Sequence, residues 1–373
     1  MTALAMGFRP FFVLAGVAAT LLVPAWLVAL SGHGTATMTP FWHAHELVHG
    51  FVGAVLGGFF LTAVPKWTST KPLSGAPLAG LVALWLLGRV VQLVPGLPSE
   101  ALLLDTAYVL ALAVAIGIPI VKSSSTRNLG FPVLLLVMAA ADAWGHLDVG
   151  ASWTGHRVAA LAEVGIVVIF GGRITPLFTR NALRGIATVR ERGRIDDLAI
   201  ASAVALVPLA LTSWSEVTAG VAALAAVANG LRMRGWATKA TIGRPLLWVL
   251  HTGYAWVPLS LAAWSLAHLR PDVLAPSTAL HAATVGVLGT YTLGMMSRVA
   301  LGHTGRPLRA LPGMKVAYLA VLASGLLRVA GPAMTSSVGP LHGAGALWTL
   351  AFAIFTVVYT PVLLRPRIDG KPG

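Results

Sequence analysis

The chain has 373 residues, of which 57% are hydrophobic and only 10% charged, with a formal net charge of +14 and no cysteine. That composition excludes an ordinary soluble domain and points to an all-α polytopic membrane protein. Without cysteine there are no disulfides, thiolate metal sites or thiol catalysis, so any metal must rest on histidine, methionine or carboxylate.

Apolar runs long enough to span a bilayer follow one another near residues 8–30, 44–65, 75–94, 100–121, 128–147, 156–178, 196–213, 216–233, 245–268, 277–298, 312–330 and 338–364. They predict about twelve transmembrane helices forming one transmembrane domain over 1–373, with 196–213 the shortest run. The first run lacks a small-residue cleavage site at its end and reads as a retained helix. Lysine and arginine fall in every second connection, from Lys66 and Lys71 to Arg365 and Lys371, while loops near 31–42, 95–99 and 214–216 carry none. This is the positive-inside pattern and not a nucleic-acid-binding face. It predicts an inner-membrane protein surrounded by lipid, with both termini cytoplasmic. The basic connection at about 179–196 is expected to separate two six-helix halves.

The second run opens on His43-Ala44-His45-Glu46-Leu47-Val48-His49. Ionisable groups inside a bilayer are costly and mark functional sites. His45-Glu46-Leu47-Val48-His49 matches the H-E-x-x-H pattern of zinc proteases, but no third ligand motif follows it, so a protease is not expected. His45 and His49 lie one helical turn apart and suit a shared ion. Met295 and Met296 are soft donors of the kind copper accepts, although such a pair is usually packing.

Aligned on their histidines, two helices resemble each other. His45 is followed by Gly50, Gly53 and Gly58, and His281 by Gly286, Gly289 and Gly294, at the same spacings. Small residues at these steps admit a second helix or a flat ring close to the backbone. A b-type haem needs an imidazole from each of two helices and cations for its propionates. His45 and His281 are the expected haem b ligands, with Arg89 as a propionate partner. The intramembrane acids Asp105, Asp142 and Glu163 suit a different class, a proton-coupled secondary transporter without metal.

The sequence also resembles the NnrS family of bacterial membrane proteins. The resemblance rests on Gly7-Phe8-Arg9-Pro10, Trp42-His43-Ala44-His45-Glu46, Gly88-Arg89, Gly171-Gly172-Arg173, Leu250-His251, His281-Ala282, Met295-Met296-Ser297-Arg298 and Leu301-Gly302-His303-Thr304-Gly305-Arg306. It implies a haem- and copper-containing inner-membrane protein that binds nitric oxide or a related small molecule, linked to denitrification and protection against nitrosative stress. Its electron donor is left open. The motif histidines carried over are His43, His45, His251, His281 and His303, with Glu46, Arg173 and Arg298 as polar partners, and His49 stands where the family usually has an aromatic residue. On this reading Glu46 orients a histidine or relays protons, Arg89, Arg173 and Arg298 meet propionates or fix loops, and copper uses some of His43, His49, His251 and His303. A fold-level analogy points the same way, since haem–copper oxidase core subunits hold their low-spin haem from helices two and ten. A metal-dependent sensor or assembly factor without turnover is the remaining alternative.

Overall fold

The computed structural model describes residues 2–148, 150, 152–190, 193–335 and 337–371, so residues 191 and 192 of the basic connection lie outside the described residues. Among the described residues there are long helices at all twelve expected places and no strand. They are α1 (Phe8–His33), α2 (Pro40–Thr68), α3 (Gly75–Val91), α4 (Ser99–Lys122), α5 (Gly130–Leu147) and α6 (Ser152–Ala182). Then follow α7 (Gly193–Leu209), α8 (Ser215–Met233), α9 (Pro245–Leu269), α10 (276–303), α11 (Met314–Met334) and α12 (Gly339–Leu364). Eight of them, α1, α2, α4, α5, α6, α9, α11 and α12, are long and apolar enough to cross a membrane, and α3 is apolar but shorter. α8 is rich in alanine and α10 in glycine, threonine and serine, which lowers their hydropathy.

The helices are built for lipid. α4 shows the pattern: Leu110, Val114, Ile118 and Val121 form an exposed apolar stripe at helical spacing, while Asp105 and Tyr108 are buried on the other side. Polar groups inside and hydrocarbon outside reverse the soluble arrangement, as a bilayer requires.

By contacts the chain divides into two compact units, the first comprising Met1–Ala159, Met296–Leu308 and Trp348–Gly373, the second Ala160–Met295 and Arg309–Leu347. In the first, glycines bring helices together. A Cβ at Gly58 would meet the Phe12 ring, and one at Gly57 would collide with the Tyr108 hydroxyl. That hydroxyl donates to the Gly53 carbonyl at 3.0 Å, tying α4 to α2. Arg9 is buried and closes the end of α12, donating from Nη1 to the carbonyls of Leu363 (2.6 Å) and Arg365 (2.8 Å).

The second unit centres on Arg232. Its guanidinium donates to Asp196 Oδ1 (2.8 Å), the Val168 carbonyl (2.9 Å) and the Tyr254 hydroxyl (2.8 Å), and that hydroxyl donates to Asn229 Oδ1 (2.6 Å). The Gly171-Gly172 pair acquires a physical reason here. A side chain at Gly172 would occupy the Arg232 guanidinium, and one at Gly171 would strike Tyr291.

The two histidine-matched segments share their local structure. Each begins with proline in its first turn, runs six α-helical residues to the matched histidine, and then widens into a π-helix, Glu46–Val52 in one and Ala282–Gly289 in the other. π-segments within α-helices concentrate at functional sites. The matched glycine does the same work in both: a Cβ at Gly50 would strike Arg89, and one at Gly286 would strike the Trp256 indole.

Candidate metal centre

The polar cluster of the first unit is assembled from five helices. α2 is started by Thr39, whose side chain accepts from the Trp42 amide at 3.2 Å, and it delivers His45, Glu46 and His49. From α3 come Arg89 and, just beyond its end, Gln92; from α4 Asp105 and Thr106; from α5 Asp142 and His146; and from the start of α6 His156. His45, Glu46, His49, Asp105, Asp142 and His156 are all buried.

Asp142 Oδ1 is the focus. It lies 3.1 Å from His45 Nε2, 3.5 Å from His49 Nε2 and 3.4 Å from His146 Nε2. A tetrahedral ion with bonds of about 2.0–2.1 Å holds its ligand atoms about 3.3–3.4 Å apart, so these separations suit a bound ion as well as imidazole–carboxylate pairs. One ligand atom each from His45, Asp142 and His146 lies within 4.8 Å of the others. The contacts are close but not aligned as hydrogen bonds: Asp142 Oδ1, both oxygens of Asp105 and both nitrogens of His49 lack a hydrogen-bond partner among the described residues. Buried polar atoms are normally satisfied. Arg89 offsets Asp105 Oδ1 and the Gln92 amide lies 3.5 and 3.4 Å from His45 and His146 Nε2, while three imidazoles surround Asp142 Oδ1, an arrangement that suits a cation.

Charge gives the same answer. Glu46, Asp105 and Asp142 bring three carboxylates, and Arg89 one guanidinium. With neutral imidazoles the excess is two negative charges, and uncompensated buried charge costs several kcal/mol per ion.

The surrounding groups hold the donors in place. Thr106 Oγ1 donates to Asp142 Oδ2 at 2.5 Å, which leaves Oδ1 toward the imidazoles. Arg89 bridges Glu46 Oε1 (2.8 Å) and Asp105 Oδ1, and Glu46 Oε1 stands 3.3 Å from His45 Nδ1. Such outer partners fix ring orientation and raise ligand basicity. Gly88 admits the Asp105 carboxylate, since a Cβ there would come within 2.5 Å of Oδ1. The Gly88-Arg89 pair is therefore one device, a gap for the carboxylate and a cation to hold it.

The expected site residues divide. His45, His49, Glu46 and Arg89 meet in the cluster, where Arg89 is paired with the carboxylates of Glu46 and Asp105. Glu46, the base of the protease pattern, is held by Arg89. His43 stacks on Trp26 at 5.0 Å and stays outside the donor group. In the first unit His303 packs against Phe8 with ring centres 5.5 Å apart, and Arg298 is buried on α10.

His251 in the second unit uses both ring nitrogens, with Thr179 Oγ1 2.8 Å from Nε2 and Thr238 Oγ1 2.9 Å from Nδ1. Thr179 spends its own proton on the Thr175 carbonyl, so Nε2–H donates and Nδ1 accepts. That arrangement satisfies the ring without a metal. Arg173 is half-buried on α6. His281 has Nδ1 2.6 Å from the Ser277 carbonyl and Arg328 Nη2 3.1 and 3.3 Å from its two nitrogens.

For a haem the residues fit at one histidine and not the other. His281 Nδ1 lies against a backbone carbonyl, as in metal-ligating imidazoles, and Arg328, 3.3 Å from Nε2, is a cation suited to a propionate. His45 Nε2 faces Asp105 Oδ2 at 2.9 Å and Asp142 Oδ1 at 3.1 Å, surroundings that fit an ion and not a porphyrin.

Asp105, Asp142, His146, His156, Thr106 and Gln92 are the members sequence reasoning did not assign to this site. The two acids were visible as intramembrane charges. Asp142 and His146, one turn apart on a helix, were the available ligand signal.

The family described as NnrS protein matches residues 2–367. The chain belongs to the NnrS family. The match spans nearly the whole chain, so both units belong to it. No curated protein matches the sequence significantly.

Proposed function

We propose that this NnrS-family membrane protein is a metal-dependent protein of nitric oxide metabolism or nitrosative-stress protection in the bacterial inner membrane, with both termini cytoplasmic. The observation that carries the metal part is the convergence of His45, Asp142 and His146 on one point, where Asp142 Oδ1 has no hydrogen-bond partner among the described residues. Copper is the ion the family resemblance adds, and imidazole with carboxylate suits it. When bound, it supplies a one-electron redox centre with an open position for a small diatomic ligand.

The residues of the chain do the rest. Thr106 and Glu46 orient Asp142 and His45, Arg89 balances the carboxylates, and burial keeps bulk water away from the ion. Haem b, the other cofactor implied by the resemblance, is assigned to His281 with Arg328 beside it.

Metal analysis of purified protein, with nitric oxide uptake followed at an electrode, tests this reading. Copper is expected in wild type and should be lost, with uptake, in His146→Ala. Wild-type protein without copper after growth in ample metal overturns it.

A proton-coupled transporter without metal has one observation in its favour. Glu163 is buried, and neither of its oxygens has a hydrogen-bond partner among the described residues. That reading expects metal-free protein and transport abolished by Glu163→Gln.

A further inference from the structure

The donors in the first unit exceed what one ion uses. A tetrahedral ion on His45, Asp142 and His146 has one position left, and that position serves the incoming ligand. His49 and His156 are then unused, although both are buried.

His49 is the sharper anomaly. It is fully buried, and neither ring nitrogen has a hydrogen-bond partner among the described residues. A structural histidine in a low-dielectric interior would have at least one nitrogen satisfied, as His251 has both. Its Nε2 lies 3.5 Å from Asp142 Oδ1, so it borders the first ion's carboxylate. His156 also lies beside it, with ring centres 6.2 Å apart.

That spacing has a chemical meaning. Two imidazoles on either side of a linear copper(I), with bonds of about 1.9–2.0 Å, hold their ring centres about 6 Å apart, whereas two sharing a tetrahedral ion stand about 5 Å apart. The His45–His146 and His45–His49 pairs, both at 5.1 Å, have the tetrahedral spacing, and His45–His156 at 6.0 Å and His49–His156 at 6.2 Å the linear one. With His45 held by the first ion, His49–His156 is the pair left at the linear spacing. Charge is consistent with both ions being cuprous in the reduced protein. Two copper(I) ions neutralise the two excess negative charges left by three carboxylates and Arg89.

We infer that the cluster is a two-ion centre: a second copper binds between His49 and His156, next to the first, with Asp142 as the neighbour common to both. The inference rests on the proposed first site and deepens it by doubling the capacity for metal and electrons at one place.

Metal counting distinguishes the two claims. Full-length protein in detergent is loaded with copper under ascorbate, washed with a chelator, and its copper measured per chain. Wild type is expected to keep two ions. His49→Ala and His156→Ala should each keep one, His146→Ala should lose the other, and His342→Ala on the surface should keep both. After oxidation, wild type should give a spin-coupled copper signal, and His156→Ala an isolated copper(II) signal of full intensity. One ion in wild type, or two retained in His156→Ala, overturns the second ion and leaves the first standing. No ion in wild type overturns both. The wild-type count decides the matter even if a variant fails to fold.

Discussion

Replacing Thr106 with valine tests whether Asp142 is a ligand, because it leaves shape almost unchanged and removes one proton donor. Thr106 Oγ1 donates to Asp142 Oδ2 at 2.5 Å within the buried cluster. A hydrogen bond to a charged acceptor contributes about 1.5–3 kcal/mol. Each 1.4 kcal/mol or so is tenfold in affinity, so Thr106→Val should weaken copper binding by about 10- to 100-fold.

The assay is competition against a chromophoric copper chelator, with thermal unfolding in detergent run in parallel. A weaker dissociation constant, alongside a melting temperature of the metal-free protein lowered only modestly, is the expected result. If Asp142 merely pairs with imidazoles, Thr106→Val changes melting of the metal-free protein and leaves copper affinity as it was. That outcome would refute the ligand assignment.

Gly88→Ala should destabilise the protein by about 1–3 kcal/mol through overpacking, because the new Cβ falls 2.5 Å from Asp105 Oδ1 and 3.2 Å from its Cα; an unchanged melting temperature would contradict this. Arg89→Gln leaves Glu46 and Asp105 without their guanidinium, at a cost of about 3–5 kcal/mol, and gel filtration should show loss of folded protein, partly restored by adding Asp105→Asn. In the second unit, Gly172→Ala forces the Arg232 guanidinium out of its hydrogen bonds and should lower stability while copper content stays at the wild-type value. His281→Ala should abolish haem absorbance and leave copper in place; retained haem would remove His281 from the ligand assignment.

The helices were legible because hydrocarbon thickness sets a length, and twelve apolar runs of that length each became a helix. The His45 motif was legible because charge inside a bilayer is expensive, and the likeness of the His45 and His281 segments extends to the π-helix that follows each histidine. Partner identity was not legible. Periodicity gives the face on which a residue lies, but nothing in one dimension says that Asp105 and Asp142 from successive helices meet at His45. For the same reason the sequence offered Arg89 as a propionate partner without disclosing Asp105 and Glu46, which it holds in the space that Gly88 and Gly50 leave. His251 makes the same point, since its motif marks a polar residue but does not disclose the two threonines, distant in sequence, at its two nitrogens.

X-ray absorption at the copper edge of the purified protein tests the central claim most directly. The structure calls for a first shell of nitrogen and oxygen at about 2.0 Å with the outer-shell scattering of imidazole, lost or halved in His146→Ala. A shell dominated by sulfur, as Met295 and Met296 would supply, or a spectrum indifferent to His146, would contradict it.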